Sequence, residues 1–162
     1  MALKATPIQV VIALGSNLGD RGDLIREGFD FLSHSFAEEG TFKSSSILET
    51  EPVDCPPGSP RFLNAVALFK TVHSVRSILE KCQAFEKEKG RPSIRETNAP
   101  RPLDLDLIAY GNEIYSDPDL QLPHPRATQR RFVLAPLVEL MPELILPLQT
   151  KSVKVLLDEL QD

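Results

Sequence analysis

Two aspartates pose the first chemical question in this sequence. In Leu103-Asp104-Leu105-Asp106-Leu107, leucine and acid alternate. On an extended strand the leucines then turn to one face and both carboxylates to the other. Residues i and i+2 stand roughly 6–7 Å apart at Cα, close enough to repel each other and to share a cation. Mg2+ suits such a pair, because it takes one or two carboxylates and completes its shell with phosphate and water oxygens. A solvated polar face produces the same pattern, so spacing alone leaves both readings open. Arg91, Arg95 and Arg101 precede the acids, and Arg126, Arg130 and Arg131 follow His124. Guanidinium groups meet phosphate oxygens in bidentate fashion, although surface ion pairs with neighbours such as Glu96 and Asp117 would use the same residues. His124 stands between Pro123 and Pro125, whose rings restrict the backbone and pre-place the imidazole. Phe62 and Asn64 share one face of a strand, where an aromatic beside an amide suits a flat heterocycle. A core Phe with a satisfied Asn is the plainer alternative.

Other chemistries fit less well. Gly15-Ser16-Asn17-Leu18-Gly19 lacks a following Lys-Ser/Thr and departs from G-x-G-x-x-G, so it reads as a tight strand-to-helix turn. His34 and His73 have no partners at ligand spacing. Cys55 and Cys82 form no CxxC pair and read as thiols in a reducing compartment. With 18 basic and 23 acidic residues the net charge is −5, and no Lys/Arg block marks a polyanion stripe, which argues against nucleic acid as a partner. No apolar run reaches membrane-spanning length, and the first residues lack a signal-peptide pattern. A cytoplasmic monomer with no membrane partner is the expectation.

The elements that must position these residues can be placed along the chain. Its 162 residues are the size of one domain, expected to span 1–162. Ile8 to Leu14 is a β-branched run that reads as a buried strand. From Asp23 to Phe36 apolar residues recur at helical spacing. Phe42 to Thr50 reads as one extended strand, and Phe62 to Thr71 as another. Ser74 caps a helix that ends at Gly90, and Leu103 to Tyr110 is the strand carrying the acids. Gly111-Asn112 turns the chain into Ile114-Tyr115. Short helices follow near Arg130 to Leu140 and Ser152 to Leu160. Two Pro-rich stretches, 51–60 and 91–102, admit neither helix nor ladder. The order β-α-β-β-α-β predicts an α+β, ferredoxin-like split β-α-β antiparallel sheet, three-layered α/β/α once the C-terminal helices are added.

ALGSNLGD (13–20), FLNAV (62–66), RPLDLDLIAYG (101–111), LPHPR (122–126) and RRFVLAPL (130–137) together resemble the 6-hydroxymethyl-7,8-dihydropterin pyrophosphokinases of folate biosynthesis. The resemblance implies a ferredoxin-like fold and transfer of the pyrophosphoryl group of ATP to the pterin hydroxymethyl group, with release of AMP. It implies that Asp104 and Asp106 hold two Mg2+ ions with ATP, and that Arg91 and Arg101 act catalytically by clamping the phosphates. Gln83, Glu86, Leu107 (through its backbone), His124 and Arg130 would join those arginines in binding the nucleotide. Thr50, Val53, Phe62, Asn64 and Phe132 would bind the pterin, the two Phe rings enclosing it. Several relatives carry Tyr where this chain has Phe62. The segments 51–60 and 91–102 match loops that close over the substrates. Ser93, Thr97 and Asn98 replace Arg, Arg and Trp of some relatives, so weaker closure and a higher ATP KM are expected, with Arg95 as a substitute phosphate contact. Two alternatives remain: a non-catalytic ferredoxin-like ligand-binding module, and a Mg-nucleotide transferase with another acceptor.

Overall fold

The computed structural model describes residues 5–50, 57–58, 60–90 and 102–160. Its first strand, β1 (Ile8–Ser16), is followed by α1 (Arg21–Phe36), β2 (Lys43–Ser44), β3 (Leu48–Thr50), β4 (Phe62–Thr71) and α2 (Val75–Glu88). Then come β5 (Asp104–Tyr110), β6 (Tyr115–Asp117), β7 (Leu120–Leu122), a single 3-10 turn at Ala127–Gln129, α3 (Arg131–Leu140) and α4 (Val153–Glu159).

The near-continuous apolar run of β1 is explained by its place. It lies inside an antiparallel sheet of order β2-β4-β1-β5, with β3 also paired to β4, and helices cover both faces. Alternation sends Val10, Ile12 and Leu14 to one side, where Ile25 and Leu32 of α1 and Ile78 and Cys82 of α2 meet them. Val11 and Ala13 go to the other side, against Val133, Leu134 and Leu137 of α3 and Val153 of α4. The α+β, three-layer arrangement expected from the element order is the one observed. Ser74 caps α2 as its type predicts, its side chain accepting from the Ser77 N–H.

Two features differ from the expected pattern. The stretch 42–50 forms two short strands because Ser45 interrupts it. Its Oγ accepts the Val66 N–H at 2.8 Å, so a side chain takes the donor that a backbone carbonyl would receive in an unbroken ladder. The segment after Gly111 becomes a separate hairpin, β6-β7, which Arg76 of α2 ties down through Asp119 at 2.6 Å. Among the described residues no helix is long and apolar enough to cross a membrane.

Gly28 sets how closely α1 approaches the sheet: a Cβ there would lie 2.8 Å from Cδ2 of the buried Leu14. Replacing Gly28 with Val should therefore overpack this layer and cost about 1–3 kcal/mol, read as a lower urea midpoint with an unchanged slope.

Candidate active site

One cross-strand row organises the site. Gly15 of β1 pairs with Asn64 of β4 on one side and with Asp104 of β5 on the other. The next row on the same face pairs Ala13 with Val66 and with Asp106. Both acids thus lie on the face covered by α3 and α4, while Leu103 and Leu105 are buried against α1 and α2, as the alternation requires. Asn64 is buried, and its Nδ2 donates to Thr50 Oγ1 at 2.5 Å. That bond turns the amide oxygen toward Gly15, where an added Cβ would stand 3.4 Å from Asn64 Oδ1 and 3.7 Å from the Phe62 ring. The glycine leaves a gap in the sheet surface between an amide, an aromatic ring and a carboxylate.

The opposite wall comes from the segment that follows the hairpin. The His124 N–H donates to the Ile108 carbonyl at 2.8 Å, hanging this loop on β5. His124 Nδ1 accepts from the Arg126 N–H at 3.2 Å, so the neutral ring carries its proton on Nε2. Burial first, then the nearby charges of Arg130 and Arg126, hold the His124 pKa below its ordinary value, with Asp104 opposing them. The imidazole is therefore neutral at pH 7 and lies within the field of Asp104. The Arg130 guanidinium stands 5.4 Å from the centre of the Phe132 ring, a cation–π contact joining the last residue before α3 to its first turn.

Behind the acids, Glu86 is buried on α2, and its Oε2 accepts the Leu105 N–H at 2.7 Å. β5 is an edge strand, so this carboxylate fixes the peptide between Asp104 and Asp106. Burial, reinforced by Glu86, pushes the Cys82 thiol up to about 12, so Cys82 is a core residue and no nucleophile. Gln83, one turn from Glu86, is exposed.

The structure thus brings Asp104, Asp106, Phe62, Asn64 and Thr50 to one sheet face, with His124 beside Asp104. Arg91, Arg101 and Val53 lie outside the described residues, as do Arg95, Ser93, Thr97, Asn98 and Cys55. Sequence reasoning assigned Gly15 only to a turn; its place at the centre of the row follows from register, which no local pattern encodes. As for a metal, the described residues form no group of three or more His, Cys, Asp or Glu side chains able to hold one. Two carboxylates without a soft donor fit Mg2+ that completes its shell from phosphate and water.

Residues 11–142 match the family described as 7,8-dihydro-6-hydroxymethylpterin-pyrophosphokinase (HPPK). The chain belongs to this family. It is 42% identical over 130 residues to the 2-amino-4-hydroxy-6-hydroxymethyldihydropteridine pyrophosphokinase of Bacillus subtilis, covering 80% of this chain and 75% of that one. It is also 36% identical to the folate synthesis bifunctional protein of Chlamydia caviae over 82% of this chain, yet spans only 30% of that longer relative. The wild-type HPPK-DHPS of Plasmodium falciparum, crystallised with pteroate, shares the fold: the TM-score is 0.70 at 15% identity, covering 98% of this chain and 43% of that one.

Two outcomes follow from the site's own geometry. Replacing Glu86 with Ala withdraws the acceptor from a buried N–H and should cost about 1–3 kcal/mol, with faster hydrogen exchange at the Leu105 amide; Glu86→Gln keeps an acceptor and should cost less. For His124, the unfolded chain binds a proton more readily than the folded one, so stability rises with pH. The contribution of the neutral ring is whole above the ordinary value of 6.5 and is lost as pH falls toward the lowered folded value. His124→Asn should flatten the decline in Tm between about pH 7 and pH 5, measured by calorimetry on metal-free protein.

Proposed function

We propose that this chain transfers the pyrophosphoryl group of ATP to the hydroxymethyl group of 6-hydroxymethyl-7,8-dihydropterin, yielding AMP and the pterin diphosphate. The observation that carries the reading is the row Asn64–Gly15–Asp104. It sets a heterocycle-reading amide and a metal-binding carboxylate either side of a gap in the same sheet, and the chain's membership of the pyrophosphokinase family names the chemistry such a juxtaposition serves.

Each residue then has a physical task. Asn64, oriented by its donation to Thr50, offers Oδ1 to the N–H edge of the pterin, while Phe62 and Phe132 supply apolar faces to the ring. Val53 belongs to this pocket on the family pattern. Asp104 and Asp106 would hold Mg2+, two ions on this reading, whose charge would offset that of the phosphates and lower the cost of ionising the attacking hydroxyl. His124 donates from Nε2 to the nucleotide, and Arg130 adds positive charge. Gln83, Glu86 and the Leu107 backbone belong to the nucleotide side, with Glu86 acting through the strand it braces. Arg91 and Arg101 clamp the phosphates, and Arg95 adds a contact where Ser93, Thr97 and Asn98 supply none. Catalysis of this kind is mostly positioning and electrostatics, which suits a site built on strands rather than on a reactive side chain. The proposal extends to residues 1–162 acting as one domain, as a monomer in the cytoplasm without nucleic-acid or membrane partners; a net charge of −5 disfavours polyanions.

Mixing the protein with ATP, Mg2+ and the pterin should yield Mg2+-dependent AMP and pterin diphosphate in equal amounts, followed by chromatography. Asp104→Ala should lower turnover by roughly a thousandfold, the scale expected when charge stabilisation is removed from a transition state. An Asp104→Ala variant that turned over normally would reduce the acids to surface decoration, and release of ADP in place of AMP would point to a different acceptor chemistry.

A further inference from the structure

A carboxylate clasp joins the helix that carries Phe132 to the chain entering the strand that carries Thr50. Glu139, in the last turn of α3, accepts the Ser46 N–H through Oε1 at 2.9 Å and the Ser46 hydroxyl through Oε2 at 2.7 Å. Ser46 is itself well placed to transmit position. Its neighbour Ser45 is bonded twice to Val66 of β4: the Ser45 N–H donates to the Val66 carbonyl at 2.9 Å, and Ser45 Oγ accepts the Val66 N–H at 2.8 Å. Glu139 is thereby referenced to the central sheet.

From the clasp, α3 runs back seven residues to Phe132 and the other chain runs forward four residues to Thr50. Seven residues of helix rise roughly 10.5 Å and return to the same helix face. Four residues of near-extended chain, the last three of them β3, cover at most roughly 13 Å. The two arms are of similar length, and their far ends carry one apolar wall and one polar support of the pterin pocket. Thr50 in turn orients Asn64.

We infer that Glu139 is a positioning residue for the pterin pocket, setting through Ser46 the separation between α3 and β3; this rests on the pterin reading given above. The clasp is not needed to hold α3 down. Leu134 and Leu137 are completely buried against the sheet, whereas Ser46 and Glu139 are exposed and such surface bonds add little to stability. What the pair supplies is a direct polar link between α3 and the chain entering β3.

Steady-state kinetics with each substrate varied in turn test the inference on wild type, Glu139→Ala, Ser46→Ala and Glu139→Gln. Glu139→Ala should raise the KM for the pterin by about three- to tenfold, the scale of a small misplacement of a binding wall, with the ATP KM and Tm unchanged. Ser46→Ala, which removes only the hydroxyl bond, should give a smaller rise in the same direction. Glu139→Gln should restore wild-type behaviour, because its amide can accept from the Ser46 N–H and donate to the hydroxyl. Equal rises in both KM values, a change confined to Tm, or no change in pterin KM on an active background would overturn the clasp and leave the catalytic reading intact. Absence of AMP from wild type would instead overturn the catalytic reading, and the clasp with it.

Discussion

The register of β1 between its two antiparallel neighbours is the constraint on which the rest depends. Because Gly15 is the partner of both Asn64 and Asp104, a slip of one residue on either side would send an acid or the amide to the opposite face. The register is held by burial on both faces. Even-numbered β1 residues pack under α1 and α2, odd-numbered ones under α3 and α4, and a one-residue slip of β5 would turn Asp104 and Asp106 into the apolar layer under α1 and α2. The stability of the core and the geometry of the site are therefore one property, read at two ends of the same strand.

Polar groups at the active end are placed by neighbours rather than by their own strands. Glu86 reaches from α2 to the Leu105 N–H, Thr50 reaches from β3 to the Asn64 amide, and the Ile108 carbonyl holds His124. Each bond satisfies a group that would be costly to leave unpaired in a part-buried setting. Each also fixes a residue in or beside the Asn64–Gly15–Asp104 row. At His124, Asp104 favours the charged ring, but burial and the charges of Arg130 and Arg126 outweigh it and keep the ring neutral.

Sheet and helices supply rigid positions, while the two Pro-rich stretches carry the remaining family motif residues, Val53, Arg91 and Arg101. The amide and the acids therefore sit on strands of one sheet. In a phosphoryl-transfer site, alignment of groups contributes as much as their charge.

By itself the sequence determined whatever is local. Alternation in 103–107 placed both aspartates on one face and the leucines on the other. The apolar run at β1 marked a strand buried on both sides, Ser74 marked a helix start, and the prolines around His124 marked a fixed imidazole. The other site residues, Thr50, Val53, Gln83, Glu86 and Phe132 among them, were legible only through the resemblance of the motif stretches to a known family. What only the tertiary structure decided is what long-range pairing decides. Gly15 became the centre of the site, Glu86 became the brace of β5, Ser45 broke one expected strand into two, and Ser46 met Glu139 across 93 residues. Side-chain direction repeats every two or 3.6 residues and can be read along the chain, whereas register and contact between distant segments are set by how two faces pack, and no single segment contains that information.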